Sequence, residues 1–232
     1  MRMIFEELWR SRALVAALVR RHIATRYRGS FFGFLWSFLN PLCLMGVYTL
    51  VFSHYMRVSG GPHYHLMVFS GLLPWIWTTS ALTEGTSALV SSGHLITKSL
   101  FPAHVLPFVT VAASMIHFLL ALPVLCVFMV LGGVPISATW LLLPVVVIVH
   151  GIFLVGCVLG LSALNVFYRD VQHLLGNFLT LIFFLCPVVY PRSNIPERVR
   201  FWFDLNPFAL LTEMYQMILL EGTLPAIGQL VY

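Results

Sequence analysis

The sequence predicts an all-α polytopic membrane protein, and three observations predict it. Only 9% of the 232 residues are charged, against about a quarter in soluble domains. Hydrophobic residues make up 59% of the chain, and the mean hydropathy is +0.92. Five uncharged or nearly uncharged apolar runs, over residues 31–52, 66–90, 105–131, 140–164 and 174–190, alternate with short polar breaks. About 20 apolar residues cross a bilayer as a helix, so each of the first four runs suffices and the fifth sits at the lower bound.

Residues 1–30 form a separate basic segment, expected to be cytoplasmic. Seven arginines precede Ser30. Phe5, Leu8, Trp9, Val15, Val19, Ile23 and Tyr27 gather on one side at ~100° per residue, with Glu6, Arg10, Arg21 and Arg28 opposite, the pattern of a helix lying in the membrane interface. Arg12 and Arg26 intrude on the apolar side and are expected to snorkel towards phosphates; a plain charged flank is the other reading. Residues 13–19 are too short and too closely bracketed by arginine for a cleavable leader. The net charge of +5 sits beside an apolar span rather than on a polar domain, so it points to topology and lipid headgroups, not nucleic acid.

From Phe31 to Phe52 there is no charged side chain. An arginine-rich flank resists translocation, which holds the amino terminus in the cytoplasm and sends the first span outward. Residues 54–65, with Arg57 and Ser-Gly-Gly-Pro, make an outward turn. The second span, 66–90, carries one charge, Glu84. An acid within a span is a candidate for a gate or pathway, and near the inner end it also has the option of interfacial solvation. The break 91–104 holds Lys98, the only lysine, and returns to the cytoplasm. Its stretch 93–99 lacks the glycine before the lysine that a phosphate-cradling loop requires, so the chain is expected to bind no nucleotide.

Spans 105–131 and 140–164 are joined by the uncharged turn Gly132-Gly133-Val134-Pro135, which makes them antiparallel neighbours. Charge returns at Arg169-Asp170, on the cytoplasmic side. The run 174–190 ends in Cys186-Pro-Val-Val-Tyr190-Pro191, a composition that suits a segment turning back within the membrane. Residues 192–204 lie outside, and Asn206-Pro207 reads as a capped helix start with proline at the first position, opening short outward-side helices over about 191–222. The inside holds nine basic residues against four outside, the expected asymmetry. The cysteines, Cys43, Cys126, Cys157 and Cys186, all fall in apolar runs and read as buried filler, with neither a disulfide framework nor a metal site.

Three motifs carry a family likeness: Arg26-Tyr-Arg-Gly-Ser-Phe-Phe-Gly-Phe-Leu-Trp-Ser-Phe-Leu-Asn-Pro41, then Asn165-Val-Phe-Tyr-Arg169-Asp170, then Pro187-Val-Val-Tyr190-Pro191 followed by Asn206-Pro207. In order and spacing the chain resembles the membrane subunit of type-2 ABC exporters, in the branch that exports O-antigen, capsule or teichoic acid. The resemblance implies a bacterial inner-membrane permease in which two copies pair with two copies of a cytoplasmic ATPase. That partner binds ATP and Mg²⁺, and a lipid-linked polysaccharide passes along the interface between the permease copies. It also implies that the amino-terminal helix and the loop with His94, Thr97, Lys98 and Ser99 rest on the motor. The family's usual sixth span is not reached before Tyr232, which predicts a partial or truncated permease with its carboxyl end outside.

A glycan path needs aromatic faces for sugar rings and few charges to trap them. Trp36, Tyr48, Trp75, Trp77 and Tyr190 are the candidates, with interfacial anchoring or packing as their ordinary alternative. Arg26 and Arg28 are candidates for lipid headgroups and topology, or for a pyrophosphate-linked substrate. Glu84, Arg169 and Asp170 are candidates for a gate. Prolines in the spans allow kinks for a moving gate or reflect ordinary tolerance in lipid. An export permease for a lipid or drug is the alternative. An ion-coupled transporter wants more buried acids than Glu84, and a metal-dependent prenyl enzyme wants clustered carboxylates, whereas only Glu6-Glu7 are paired.

Overall fold

The computed structural model describes residues 12–58, 61–93 and 103–223, and all their regular structure is helical. Helix α1 is Arg12–Tyr27. Helix α2, Trp36–Thr49, is entered through a tight turn at Gly33–Leu35 and prolonged by a wide turn at Leu50–Tyr55. Helices α3, Tyr64–Ser91, and α4, Val105–Leu131, follow. Helix α5, Leu143–Phe167, is preceded by a tight turn at Ala138–Leu142. Helices α6, Val171–Phe184, α7, Glu197–Asp204, and α8, Pro207–Gln216, follow, with a wide turn at Met217–Glu221 after α8.

Among the described residues, four stretches are long and apolar enough to cross a membrane: Gly33–Tyr55, Tyr64–Ser91, Val105–Leu131 and Ala138–Phe167. The run expected to span at 174–190 differs. Its helix is Val171–Phe184, 14 residues, or about 21 Å at 1.5 Å per residue, short of a ~30 Å hydrocarbon core. Pro187 and Pro191 contribute no N–H and cannot continue a helical ladder, so the backbone leaves α6 at Leu185 and turns. The cysteines also differ from the expectation of uniform burial: Cys186 is buried, but Cys43 is exposed on α2, on a face that meets no other helix among the described residues.

Helix α3 is the axis. In its most apolar 18-residue window 78% of residues are buried, against 6% for the first span, and α2, α4, α5, α6 and α8 all pack on it. Small residues make this possible, as they do where membrane helices approach closely. A Cβ on Gly85 would fall 2.3 Å from Val158 Cγ1, and one on Gly71 would fall 2.9 Å from Gln216 Nε2 and 3.2 Å from Val188 Cα. Side-chain hydrogen bonds add to the apolar packing. Asn165 Nδ2 of α5 donates to the Thr86 carbonyl at 3.1 Å. The buried His150 of α5 lies 3.0 Å from Thr78 Oγ1 and 3.3 Å from the Tyr215 hydroxyl, so one imidazole ties α3, α5 and α8.

The non-helical backbone at 186–189 is fully buried and must be satisfied from within the protein. Gln216 Nε2 donates to the Pro187 carbonyl at 2.8 Å, the Tyr64 hydroxyl to the Val189 carbonyl at 2.5 Å, and Asn206 Nδ2 to the Leu185 carbonyl at 3.3 Å. Asn206 also caps α8, its side chain accepting from the Phe208 N–H at 3.1 Å. The wide turn after α8 is held the same way, by Thr139 Oγ1 on the Ile218 carbonyl at 2.7 Å and Trp140 Nε1 on the Leu219 carbonyl at 3.2 Å. Arg192 then bridges Asp204, at 2.6 Å, and Glu213, closing α7 onto α8.

Replacing Gly85 by valine drives a branched side chain into Val158 and separates α3 from α5, a change that costs about 1–3 kcal/mol or more. The thermal midpoint of the detergent-solubilised protein should fall clearly. Gly156→Ala, on α5 with nothing within 4 Å of its added Cβ, should leave that midpoint unchanged or slightly higher.

Candidate functional site

On α3, residues Leu72, Ile76, Thr79, Ser80 and Thr83 recur at three- and four-residue spacing and form one stripe. This stripe faces a groove of about 560 Å³ walled by Asn40, Leu44 and Tyr48 of α2 and by Gly176, Leu179, Thr180 and Phe183 of α6. The hydroxyls do not compete for helical N–H groups. Thr83 donates to the Thr79 carbonyl at 2.6 Å, Thr79 to Ile76 at 3.1 Å, and Thr180 to Gly176 at 3.0 Å. Each oxygen keeps its acceptor capacity, because the donated proton is the one engaged. No charged side chain among the described residues lines this groove.

A second cavity of about 240 Å³ adjoins the groove, sharing Asn40, Ile76 and Ser80 with it, and extends towards the arginine-rich end of the molecule. Arg26, Tyr27, Trp36, Ser37, Ser114 and His117 complete its wall. The Tyr27 hydroxyl, Ser37 Oγ and His117 Nδ1 form a triangle, with Tyr27 to Ser37 at 2.5 Å and each of the two to His117 at 3.2 Å. That triangle joins α1, the first span and α4.

Beside this cavity α1 is latched to the axis. Glu84 of α3 accepts from Arg26 at 2.8 Å through Oε1 and contacts His22 Nε2 at 2.9 Å through Oε2. The two α1 residues are four apart and therefore on one face. The position of Arg26 on the apolar side of α1 is thereby explained: that side packs on protein, with Val19 seated on Val105, Val109 and Ala113, and Arg26 reaches an acid there.

The other candidates fall in different places. Tyr48 lines the groove with its ring 5.4 Å from Phe183, and Trp75 lines it while wedged between Phe183 and Phe208. Trp36 is exposed and borders the smaller cavity. Trp77 also borders that cavity, but it is 1% exposed, stacked on Phe118 at 4.9 Å and packed on His150, the setting of a core side chain. Tyr190 lines neither space; its hydroxyl donates to the Phe184 carbonyl at 2.7 Å and pins the turn after α6. Arg28 is exposed just beyond α1, and Arg169 and Asp170 are exposed in the turn between α5 and α6; none of the three borders the groove. His94, Thr97, Lys98 and Ser99 lie outside the described residues.

Sequence reasoning passed over Ser37, Asn40, Thr79, Ser80, Thr83, Thr180 and the histidines His22 and His117. The run Thr78-Thr79-Ser80, then Thr83, inside an otherwise apolar span carried the signal, since hydroxyls repeated on one helix face mark a polar stripe.

The latch predicts a graded response. Half-exposed ion pairs contribute on the order of 0.2–1 kcal/mol each, so Glu84→Ala, which removes two, should reduce the docked population of α1 several-fold, and Glu84→Gln less. Disulfide formation between cysteines placed at Val19 and Val109 reports it: slower cross-linking in Glu84→Ala is expected, and an unchanged rate would show that apolar packing alone holds α1.

Against known proteins, residues 13–220 match the family model described as ABC-2 type transporter. The chain is 42% identical over 227 residues to the O-antigen export system permease protein RfbA of Myxococcus xanthus, across 96% of this chain and 86% of that protein. It is 32% identical over 212 residues to an O-antigen export system permease protein RfbA of Klebsiella pneumoniae, across 91% of this chain and 82% of that one. With the polysialic acid transport protein KpsM of Escherichia coli it shares 21% identity over 224 residues, 90% of this chain and 81% of that protein. The matched stretch takes in every helix from α1 to α8 apart from the first residue of α1, and with it both the groove and the latch; the chain belongs to the ABC-2 type transporter family, as a membrane-spanning transport subunit.

Proposed function

We propose that this chain is the permease subunit of an ATP-driven exporter that carries a lipid-linked surface polysaccharide from the cytoplasm across the bacterial inner membrane. The observation that carries the reading is the groove: a passage at membrane depth, walled by hydroxyls, one amide and aromatic faces, with Arg26 as the one charged side chain among the linings of the two joined cavities. A sugar ring presents hydroxyls at its rim and C–H groups on its faces. Thr79, Ser80, Thr83, Thr180 and Asn40 suit the first, and Tyr48 and Trp75 suit the second. The relatives' names, two O-antigen permeases and a polysialic acid transporter, point to the same cargo class. An ion-coupled mechanism finds little support, because the one acid in the described spans, Glu84, is engaged by Arg26 and His22.

Two copies make the conduit in this reading. The first span is nearly uncovered within the chain, and α6 exposes Leu174, Phe178 and Leu181 beside the groove. A second copy presenting the same surface across a two-fold axis closes the open side. The motor is a separate cytoplasmic ATPase, two copies, which holds ATP and Mg²⁺. The arginine-rich end faces it, since cationic flanks stay in the cytoplasm; α1 and the loop 91–104 are the contacts offered to it.

Purification with neighbouring subunits tests the assignment: an ATPase should accompany the chain, and lipid-linked glycan should stimulate its hydrolysis. Cargo movement by this polypeptide alone, or stimulation by drugs or phospholipids but not by glycan-lipid, overturns it. Within the groove, the pair Ser80→Ala with Thr83→Val removes two acceptors without adding bulk. Unpaired sugar hydroxyls cost about 1–3 kcal/mol, so export should slow about tenfold or more while the thermal midpoint holds. Unchanged export would remove these residues from the path.

A further inference from the structure

Helix α7, Glu197–Asp204, is turned the opposite way from an amphipathic helix in water. Asp204 faces the protein, where Arg192 holds it at 2.6 Å while also bridging Glu213 of α8, and Phe203 meets the Tyr190 ring, 6.4 Å between centroids. On the other side, among the described residues, Trp202 is 70% exposed, Phe201 64%, and Leu205, the residue after the helix, 50%. At ~100° per residue these three lie within about 60° of Arg198, whereas Glu197 and Arg200 lie roughly 100° and 160° round from it. The outward face is therefore apolar with one arginine at its middle and no acid. The four charges of the helix, Glu197, Arg198, Arg200 and Asp204, sum to zero.

The position of α7 decides which medium meets this face. Tyr64, at the start of α3, donates to the Val189 carbonyl, next to Tyr190, and further along the same helix Glu84 is bound by Arg26 and His22. The helix between Tyr64 and Glu84 spans about 30 Å, the thickness of a hydrocarbon core. The latch of α1 therefore marks one boundary of the membrane and the turn at Tyr190 the other. Helix α7, about 12 Å long and too short to cross, is attached at that second boundary. Tyr55, closing the first span, and Trp140, just before α5, belong to the same end, where aromatic side chains mark the membrane surface.

We infer that α7 is an interfacial anchor, its Phe201, Trp202 and Leu205 face seated in lipid at the boundary between headgroups and acyl chains, at the end of the molecule remote from Arg26. The composition of the face selects this occupant. Phe, Trp and Leu enter the boundary, and Arg198 among them extends its guanidinium to phosphate and water. A second copy fits less well: a two-fold contact centred on this face sets Arg198 against its own counterpart, with no acid on either face to pair with it. Because the charges of α7 cancel, a zwitterionic surface suffices. Arg192 joins α7 to α8, so the anchor sets the height of the buried turn 186–189 in the bilayer. The inference holds whichever cargo is carried.

Tryptophan emission of the full chain in phosphatidylcholine vesicles tests this, the contribution of Trp202 being the difference between the unaltered chain and Trp202→Phe. Bromine on the acyl chains near the headgroup should lower that contribution at least twofold, bromine near the chain ends should lower it less, and iodide on both sides of the membrane should leave it unchanged. The same difference taken with Trp77→Phe, at a core position 1% exposed, should respond to neither quencher. Quenching of Trp202 by iodide but not by brominated lipid puts α7 in water, and quenching by neither puts it under protein, whether a second copy or another part of this chain. Either result, or stronger quenching from the chain ends, overturns the anchor. A second variant, Phe201→Ser with Trp202→Ser, should be cut by trypsin at Arg198 and Arg200 at least fivefold faster than the unaltered chain in the same vesicles; an unchanged rate also overturns it.

Discussion

Backbone polar groups in a hydrocarbon environment need partners inside the protein, and the far end of this molecule is arranged around that constraint. A continuous helix meets it without help. The turn after α6 does not, since Pro187 and Pro191 interrupt the ladder while Cys186, Val188 and Val189 are wholly buried. Three side chains from elsewhere in the sequence, Tyr64, Asn206 and Gln216, supply donors to its carbonyls. Gln216 can do so because Gly71 leaves room for its amide against α3. The His150 contacts to Thr78 and Tyr215 then fix the helix from which Gln216 projects. Remove any of these and the short helices lose the reason to sit where they do.

The same logic orders the other end. Helix α1 carries arginines around its circumference, and the structure seats Val19 on α4 and ties Arg26 and His22 to Glu84. Glu84 directly follows Thr83 and lies one turn beyond Ser80, so the acid that holds α1 stands on the same helix as the hydroxyls that line the groove. Displacement of α1 therefore acts on the axis helix next to the proposed path, with no intermediate element. Were the proposed motor to dock near α1, that short connection would be the direct structural route from the docking end to the proposed path.

How much of this was legible in the sequence follows from the physics of each feature. The four long spans were readable because hydropathy and length are local properties; Val105–Leu131 coincides with its predicted run, and the others differ by a few residues at their ends. The helix start at Pro207 was readable from the Asn206-Pro207 cap. The fifth run was harder, because a run of apolar residues ending in prolines does not reveal where the helix stops; only the packing of 186–189 does. Partner choice was not readable at all. Nothing local pairs Arg26 with Glu84, 58 residues away, and nothing local separates Trp75, which borders the groove, from Trp77 two residues on, which faces Phe118 and His150. Tyr190 was singled out for its aromatic ring, whereas its hydroxyl supports a turn.

The neutrality of the groove is itself informative. A polymer that slides must bind each repeat weakly and alike, because one strong contact halts the whole chain; hydroxyls and aromatic faces give contacts of that kind, and ionised groups in a low-dielectric setting do not. The four spans contain one acid, and it is turned towards α1 and neutralised there. Arg26, the one cation among the described residues lining the proposed conduit, stands at its arginine-rich mouth, where an anionic linkage between lipid and glycan would arrive once per polymer and not once per sugar. In the proposed reading, that distribution of charge would separate a single recognition event at the entrance from repeated, nearly equivalent steps along the path, since no charged side chain among the described residues lines the groove itself.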